Sequence, residues 1–244
     1  MKAQRDLEGL AALVTGATSG IGKAVAYRLG RDGAEVIVHG RDVDRGSAVV
    51  DDITADGGKA RFIAADLTNP VEVAALIEQA GPVDVLVNNA GFSWFGPTAD
   101  LDVQTFDQLI AANVRAPYLL VAALAPGMAA RGGGSIVNLS SMAGQIGLAG
   151  GAAYGATKAM LASMTRSWAA EFSPSGVRVN AVAPGPVFTE GADPGRIATL
   201  GDTTLVGRAA QPSEIAEVIA FLSSPKASYV TGAIVAADGG RTAT

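Results

Sequence analysis

Short apolar runs alternate with helix-spaced stretches along this chain. Leu10 to Val14 is an apolar run ending at a glycine cluster, which predicts a buried strand. Residues 20–31 then carry Ile21, Val25 and Leu29 at a spacing of four, the mark of one helix face. Glu35–His39 predicts a second strand and 43–56 a second helix. Arg61–Ala65 is a third strand. The helix expected over 70–79 opens at Asn69-Pro70, a cap and first-turn pair. Val83–Val87 is a fourth strand, and 103–129 reads as mostly helical despite Pro117. Ser135–Leu139 is a fifth strand and 152–172 a long helix. Val177–Val182 is a sixth strand, 212–223 a helix opening at Pro212, and Ala233–Ala236 a last strand.

Seven apolar strands alternating with helices predict an α/β fold: a doubly wound parallel sheet with helices on both faces. The 244 residues suit one domain, and no linker or low-complexity segment divides 1–244. In such sheets, ligands sit at the carboxyl ends of the strands near the switch point. The residues just after each strand are therefore the ones to read.

Composition narrows the chemistry. Hydrophobic residues make up 49%, enough for a large core. Charged residues are 17% and the net charge is −5, so no basic field offers itself to nucleic acid. The absence of cysteine removes disulfides, thiolate catalysis and Cys metal sites. A single histidine, His39, leaves no His-rich metal site. No apolar run is expected to reach the roughly 18–20 residues of a membrane span. The N-terminus does not resemble a signal peptide, so a cytoplasmic protein is expected.

After the first strand stands Thr15-Gly16-Ala17-Thr18-Ser19-Gly20-Ile21-Gly22. Such a turn offers backbone N–H groups to an anion at a helix N-terminus, with glycine where a backbone must approach closely. A plain tight turn would look similar, and the spacing differs from the general Gly-x-Gly-x-x-Gly dinucleotide pattern. After the second strand, Gly40-Arg41-Asp42 could discriminate cofactors. Arg41 suits the 2′-phosphate of NADP, and Asp42 would serve the ribose of NAD if the turn ran one residue later. NADP(H) is favoured over NAD(H). Asp66-Leu67 is either an adenine-edge cap or a turn. Asn88-Asn89-Ala90-Gly91 suits a backbone passing close to a flat ligand, or an Asx turn. Ser140-Ser141 follows the fifth strand, and Pro184-Gly185-Pro186-Val187-Phe188-Thr189 the sixth. Tyr154 and Lys158 stand four apart among Gly155, Ala156 and Ala159. They are a working pair or an ordinary solvated helix face. The small neighbours and the nearby Ser140-Ser141 favour the pair.

These residues together resemble the short-chain dehydrogenase/reductases, and within them the 3-oxoacyl-acyl-carrier-protein reductase-like group. The resemblance rests on TGATSGIG (15–22), Asp66, NNAG (88–91), Asn113, Ser141, YGATK (154–158), PGPVFT (184–189), GRAAQPSEIA (207–216) and YVTG…DGG (229–240), and it covers nearly the whole chain. It implies a Rossmann fold and an NAD(P)(H)-dependent oxidoreductase interconverting a ketone and a secondary alcohol. It implies catalytic Asn113, Ser141, Tyr154 and Lys158, with no metal. The cofactor would meet Gly16, Thr18, Ser19, Gly20, Ile21, Gly22, Arg41, Asp66, Leu67, Asn89, Ala90, Gly91, Tyr154, Lys158, Pro184, Gly185, Val187 and Thr189. Ser19 stands where many NADP-dependent members carry a basic residue, so Arg41 must carry the preference alone. A homotetramer or homodimer is implied, with a small carbonyl or alcohol substrate and neither nucleic acid nor membrane as partner.

The implied chemistry is physically consistent. A tyrosine is a poor acid–base group at its free pKa of about 10. Lys158, on the same helix face, and an oxidised nicotinamide would be expected to lower it. Reaching about 7 needs roughly 4 kcal/mol. Ser141 would hold the carbonyl oxygen as charge develops. By the resemblance, Asn113 would hold a water linking Lys158 to solvent. A non-catalytic dinucleotide-binding regulator on the same fold is the competing function, and loss of Tyr154 or Lys158 would mark it. A Ser141 hydrolase fails because the one histidine lies at the end of the second strand. Substrate is expected between 142–151, with Ser141, Met142, Gln145, Ile146, Leu148 and Tyr154, and the segment 187–207, with Phe188 and Leu200. Trp94 and Phe95 either wall this pocket or pack elsewhere. The pocket is expected to be mostly apolar, without a basic cluster for a carboxylate. The 187–207 segment is expected to be mobile without ligand.

Overall fold

The computed structural model describes residues 5–243. Seven parallel strands form one sheet: β1 Ala11–Val14, β2 Glu35–Gly40, β3 Lys59–Ala64, β4 Val85–Asn88, β5 Gly134–Leu139, β6 Val177–Pro184 and β7 Ile234–Ala237. Their order is β3-β2-β1-β4-β5-β6-β7. The chain reverses direction across the sheet between β1 and β4, where Ala12 pairs with both Val36 and Val85. The expected α/β architecture is thus present. Strand ends differ from expectation by one or two residues, mostly because pairing with a neighbour extends a strand past its apolar run. Pro184, for example, pairs with Ala237.

Side chains alternate across the sheet with a period of two. Ala12 and Val14 of β1, Val36 and Val38 of β2, Val85 and Val87 of β4, and Val137 and Leu139 of β5 face one core. That core is shared with α1 (Gly20–Arg31) and α8 (Pro212–Ser223), through residues such as Val25, Leu29, Ile215 and Ile219. Leu13, Ile37, Leu86 and Ile136 face the other. There they meet α3 (Pro70–Ala80) through Leu76, α5 (Ala116–Ala130) through Leu120, and α6 (Ala152–Phe172) through Leu161 and Trp168. The remaining helices are α2 (Val43–Ala55), α4 (Val103–Ile110) and α7 (Pro194–Gly201). The sequence reading did not anticipate α7. Its start, Asp193-Pro194, is the same signal as Asn69-Pro70, with the Asp193 side chain accepting the Arg196 N–H at 2.6 Å.

α4 and α5 are joined through a wide π-type turn, Ala111–Arg115, in which the Ala116 N–H reaches back to the Ala111 carbonyl. Pro117 supplies the cause. It has no N–H to give the carbonyl of Asn113, and its ring crowds that carbonyl, so the helix widens just ahead of it. The continuous helical run Val103–Ala130 is long and apolar enough to cross a membrane by length and composition alone. This corrects the expectation that no such run exists: Asp107, Asn113 and Arg115 interrupt the apolar pattern without ending the helix. Most of it is buried inside the protein, as a core helix would be.

Candidate active site

The turn between β1 and α1 is held in a shape that only glycine permits. Gly16 and Gly20 have φ of +64° and +51°, where L side chains are strained. A Cβ on Gly22 would press into the Gly16 carbonyl and the Asn89 amide. Ser19 caps α1 in extended backbone without spending its hydroxyl, and the first turn holds no acidic side chain. The N-terminal N–H groups of a 12-residue helix therefore point into the cleft without a protein anion beside them. Such a turn has the polarity a pyrophosphate needs.

Three side chains tie this turn to the sheet. Thr15 Oγ1 donates to the Val87 carbonyl and accepts the N–H groups of Asn89 and Ala90, each at 3.0 Å. Asn89 Nδ2 donates to the carbonyls of Thr15 and Gly16 at 2.8 and 3.1 Å. The Asn89 amide thus shapes the turn. His39 is the third tie. Its Nδ1 accepts the Gly16 N–H at 3.1 Å, which leaves the proton on Nε2, 3.1 Å from the Ala65 carbonyl. Burial pushes its pKa down to about 4. In the sequence, His39 bears only on a metal site and a Ser141 triad; nothing there marks its place in this turn.

At the second strand end, Thr18 packs its methyl against Gly40, where no Cβ would fit. Asp42 Oδ1 caps α2 by accepting the Arg45 N–H, and Oδ2 pairs with the Arg45 guanidinium at 2.9 Å. Its carboxylate is therefore occupied, while Arg41 beside it is exposed. Asp66 Oδ1 accepts both the N–H and the hydroxyl of Thr68, which holds the carboxyl below its usual range. Leu67 is buried. Thr189 closes over Gly20, a Cβ on which would meet it at 3.2 Å. Phe188 lines a cavity against α1 with Lys23, Tyr27 and Glu190. Pro184 and Val187 are buried, and Gly185 packs against Asp238.

The four catalytic candidates converge at the end of β5. Lys158 is buried, and its Nζ donates to the Leu139 carbonyl at 2.8 Å. It lies 5.8 Å from the Tyr154 ring centroid and just beyond Gly91. A Cβ on Gly91 would meet Asn113 Oδ1 at 2.6 Å. Ser141 caps a short turn by accepting the Ala143 N–H, and its hydroxyl is near enough to Tyr154 to favour ionisation of the phenol. Gly155 is required because the Ala143 carbonyl sits where its Cβ would go. Asn113 is fully engaged: Oδ1 accepts the Phe92 N–H, and Nδ2 donates to the Phe92 carbonyl and Thr157 Oγ1. Its side chain locks the stretch after Gly91 to α6.

The charge balance differs from expectation. Burial raises the Tyr154 pKa, and the Ser141 hydroxyl only partly offsets it. Lys158 is desolvated too, and its own pKa falls to about 8. The site thus keeps Tyr154 as a phenol, the form that gives a proton.

Phe95, which the sequence left undecided, is part of this site. Its ring stands 5.6 Å from that of Tyr154, and Gly151 is free of a Cβ where it packs. Trp94 packs on Gly96, and the Gly96 N–H bonds the Gly150 carbonyl at 3.1 Å, joining this loop to 142–151. Met142 is buried there, Ile146 and Leu148 are half-buried, and Gln145 is exposed.

Known proteins resemble this chain over nearly its whole length. A family model described as enoyl-(acyl carrier protein) reductase matches residues 16–242. The chain is 42% identical to cis-4-hydroxycyclohexanecarboxylate dehydrogenase of Sinomonas cyclohexanicum, over 95% of this chain and 96% of that one. Among solved structures, a short-chain dehydrogenase/reductase family protein is 51% identical, with a TM-score of 0.91 over 98% of this chain and all of that one. The angucycline C-6 ketoreductase LanV, solved with bound NADP, is 34% identical with a TM-score of 0.93 over 98% of each chain.

Proposed function

The chain belongs to the short-chain dehydrogenase/reductases, and on that premise we propose that Asn113, Ser141, Tyr154 and Lys158 carry its reaction. It is an NAD(P)(H)-dependent oxidoreductase that interconverts a ketone and a secondary alcohol. The observation that carries the assignment is the half-buried phenol of Tyr154 one helical turn before the buried Lys158, whose Nζ lies 5.8 Å from its ring centroid.

The cradle of Gly16, Gly20 and Gly22, the open α1 N-terminus and the Cβ-free Gly91 fit a dinucleotide. NADP(H) is the favoured form, as in the NADP-bound ketoreductase this chain resembles. Arg41 would take the 2′-phosphate, and the engagement of Asp42 by Arg45 supports that choice. Gly16 to Gly22, Asp66, Ala90, Gly91 and the 184–189 turn would hold the rest. The cofactor supplies the hydride. The protein's own part is positioning and proton transfer. Ser141 donates to the substrate oxygen as negative charge builds on it. Tyr154 gives that oxygen its phenolic proton in reduction and takes it back in oxidation. Lys158 would set a positive field beside the phenol and bind the nicotinamide ribose. Asn113 keeps this group in register through Phe92 and Thr157.

We further read 1–244 as one domain whose segment 187–207 closes on the substrate. The exposed apolar side chains of Val103, Phe106, Tyr118 and Met160 on α4, α5 and α6 support a dimer or tetramer. Tyr154→Phe tests the chemistry. Ketone-dependent NADPH oxidation is expected to fall by about 10²–10⁴-fold, with NADPH binding retained. Equal rates in the two proteins would remove Tyr154 from the mechanism and favour a non-catalytic binding role.

A further inference from the structure

The segments expected to surround substrate, 142–151 and 187–207, contain one basic residue, Arg196. It sits on α7, whose N-cap Asp193 is occupied by the Arg196 backbone N–H. Its guanidinium carbon lies 4.9 Å from the centroid of the Phe95 ring. Phe95 in turn lies 5.6 Å from Tyr154. The cation is therefore one aromatic ring removed from the proposed proton donor. Its side chain is exposed and, among the described residues, has neither an ion pair nor a side-chain hydrogen bond. Stacking occupies only the face of a guanidinium. Its N–H donors lie in the plane and remain free for a planar, two-pronged acceptor.

We propose that Arg196 selects substrates bearing a carboxylate held across Phe95 from the reacting carbonyl. Phe95 holds the guanidinium by its face and packs against the ring of the substrate. The proposal deepens the oxidoreductase reading and rests on it. It is compatible with the expected absence of a basic cluster: one arginine, pre-oriented by an aromatic, would serve the carboxylate by itself.

The test compares 4-oxocyclohexanecarboxylate with its methyl ester, with NADPH, in the wild type, Arg196→Gln and Arg196→Lys. The wild type is expected to favour the acid by about tenfold or more in kcat/KM, carried by KM. Arg196→Gln is expected to lose that preference while turning over the ester as before, and Arg196→Lys to restore it in part. Calorimetric titration of cyclohexanecarboxylate should show the same order of affinities without turnover. Equal use of acid and ester by the wild type, or an equal loss on both in Arg196→Gln, would overturn the role of Arg196 and leave the reductase intact. Turnover of neither ketone, with NADPH still bound, would instead overturn the activity on which the proposal rests.

Discussion

The two sides of the cleft are built to different standards. On the sheet side, the turn from Thr15 to Gly22 is cross-tied by Thr15, His39 and Asn89, and the stretch after Gly91 by Asn113. On the other side, the segment 187–207 is anchored at its start, where Phe188 and Ala210 exchange backbone bonds with their neighbours. Beyond that point it is mostly exposed, and α7 buries only Gly201. On the proposed reading, hydrogen bonds into the sheet fix the groups that meet a constant cofactor. The side proposed to meet a variable substrate has few of them, so it can change without loosening the chemistry. Local stability should differ accordingly.

This contrast can be broken by experiment. The largest effect should come from Gly22→Ala. Its Cβ overlaps backbone and an immobilised amide, so a loss of about 3 kcal/mol in unfolding free energy is expected, together with weaker NADPH binding. Denaturant unfolding and fluorescence titration measure both, and an unchanged pair of values would show that the turn is softer than its ties suggest. A comparable but pH-dependent effect belongs to His39. Its folded pKa of about 4 lies below the ordinary 6.5, so folding favours the neutral ring. That contribution is full above pH 6.5 and is lost as pH falls from there toward 4, by up to about 3 kcal/mol. Unfolding curves across this range should flatten in His39→Asn. The smallest effect is on the loose side. Asp193→Ala removes the cap of α7 and should cost about 1 kcal/mol locally. KM should rise with the melting temperature almost unmoved. A drop in global stability as large as that of Gly22→Ala would erase the distinction between the two sides.

Much of the rigid side was legible in the sequence because its requirements are strict. Glycines at 16, 20 and 22 and the pair Tyr154–Lys158 have no substitutes for their geometry, so residue type and spacing announce them. The alternation of strands and helices was legible for the same reason, since burial on two faces leaves apolar runs. What escaped were features made by contact between distant residues. His39 looks like any strand residue until Gly16 and Ala65 are brought beside it. Asn113 has a signal, Pro117 four positions on, but only the widened turn reveals what that proline does. Phe95 and Arg196 lie 101 positions apart in the chain and meet through tertiary packing alone. The direction of the Tyr154 shift also depends on burial, which spacing cannot supply.

His39 carries one more consequence. As the only histidine in the chain, its imidazole gives the protein a single pair of ring-proton resonances with nothing to be confused with. That ring is bonded directly to Gly16, so its chemical shift is a built-in, label-free reporter of the glycine turn. Titrating a nucleotide while watching one line in the spectrum would report occupancy of the cradle in solution.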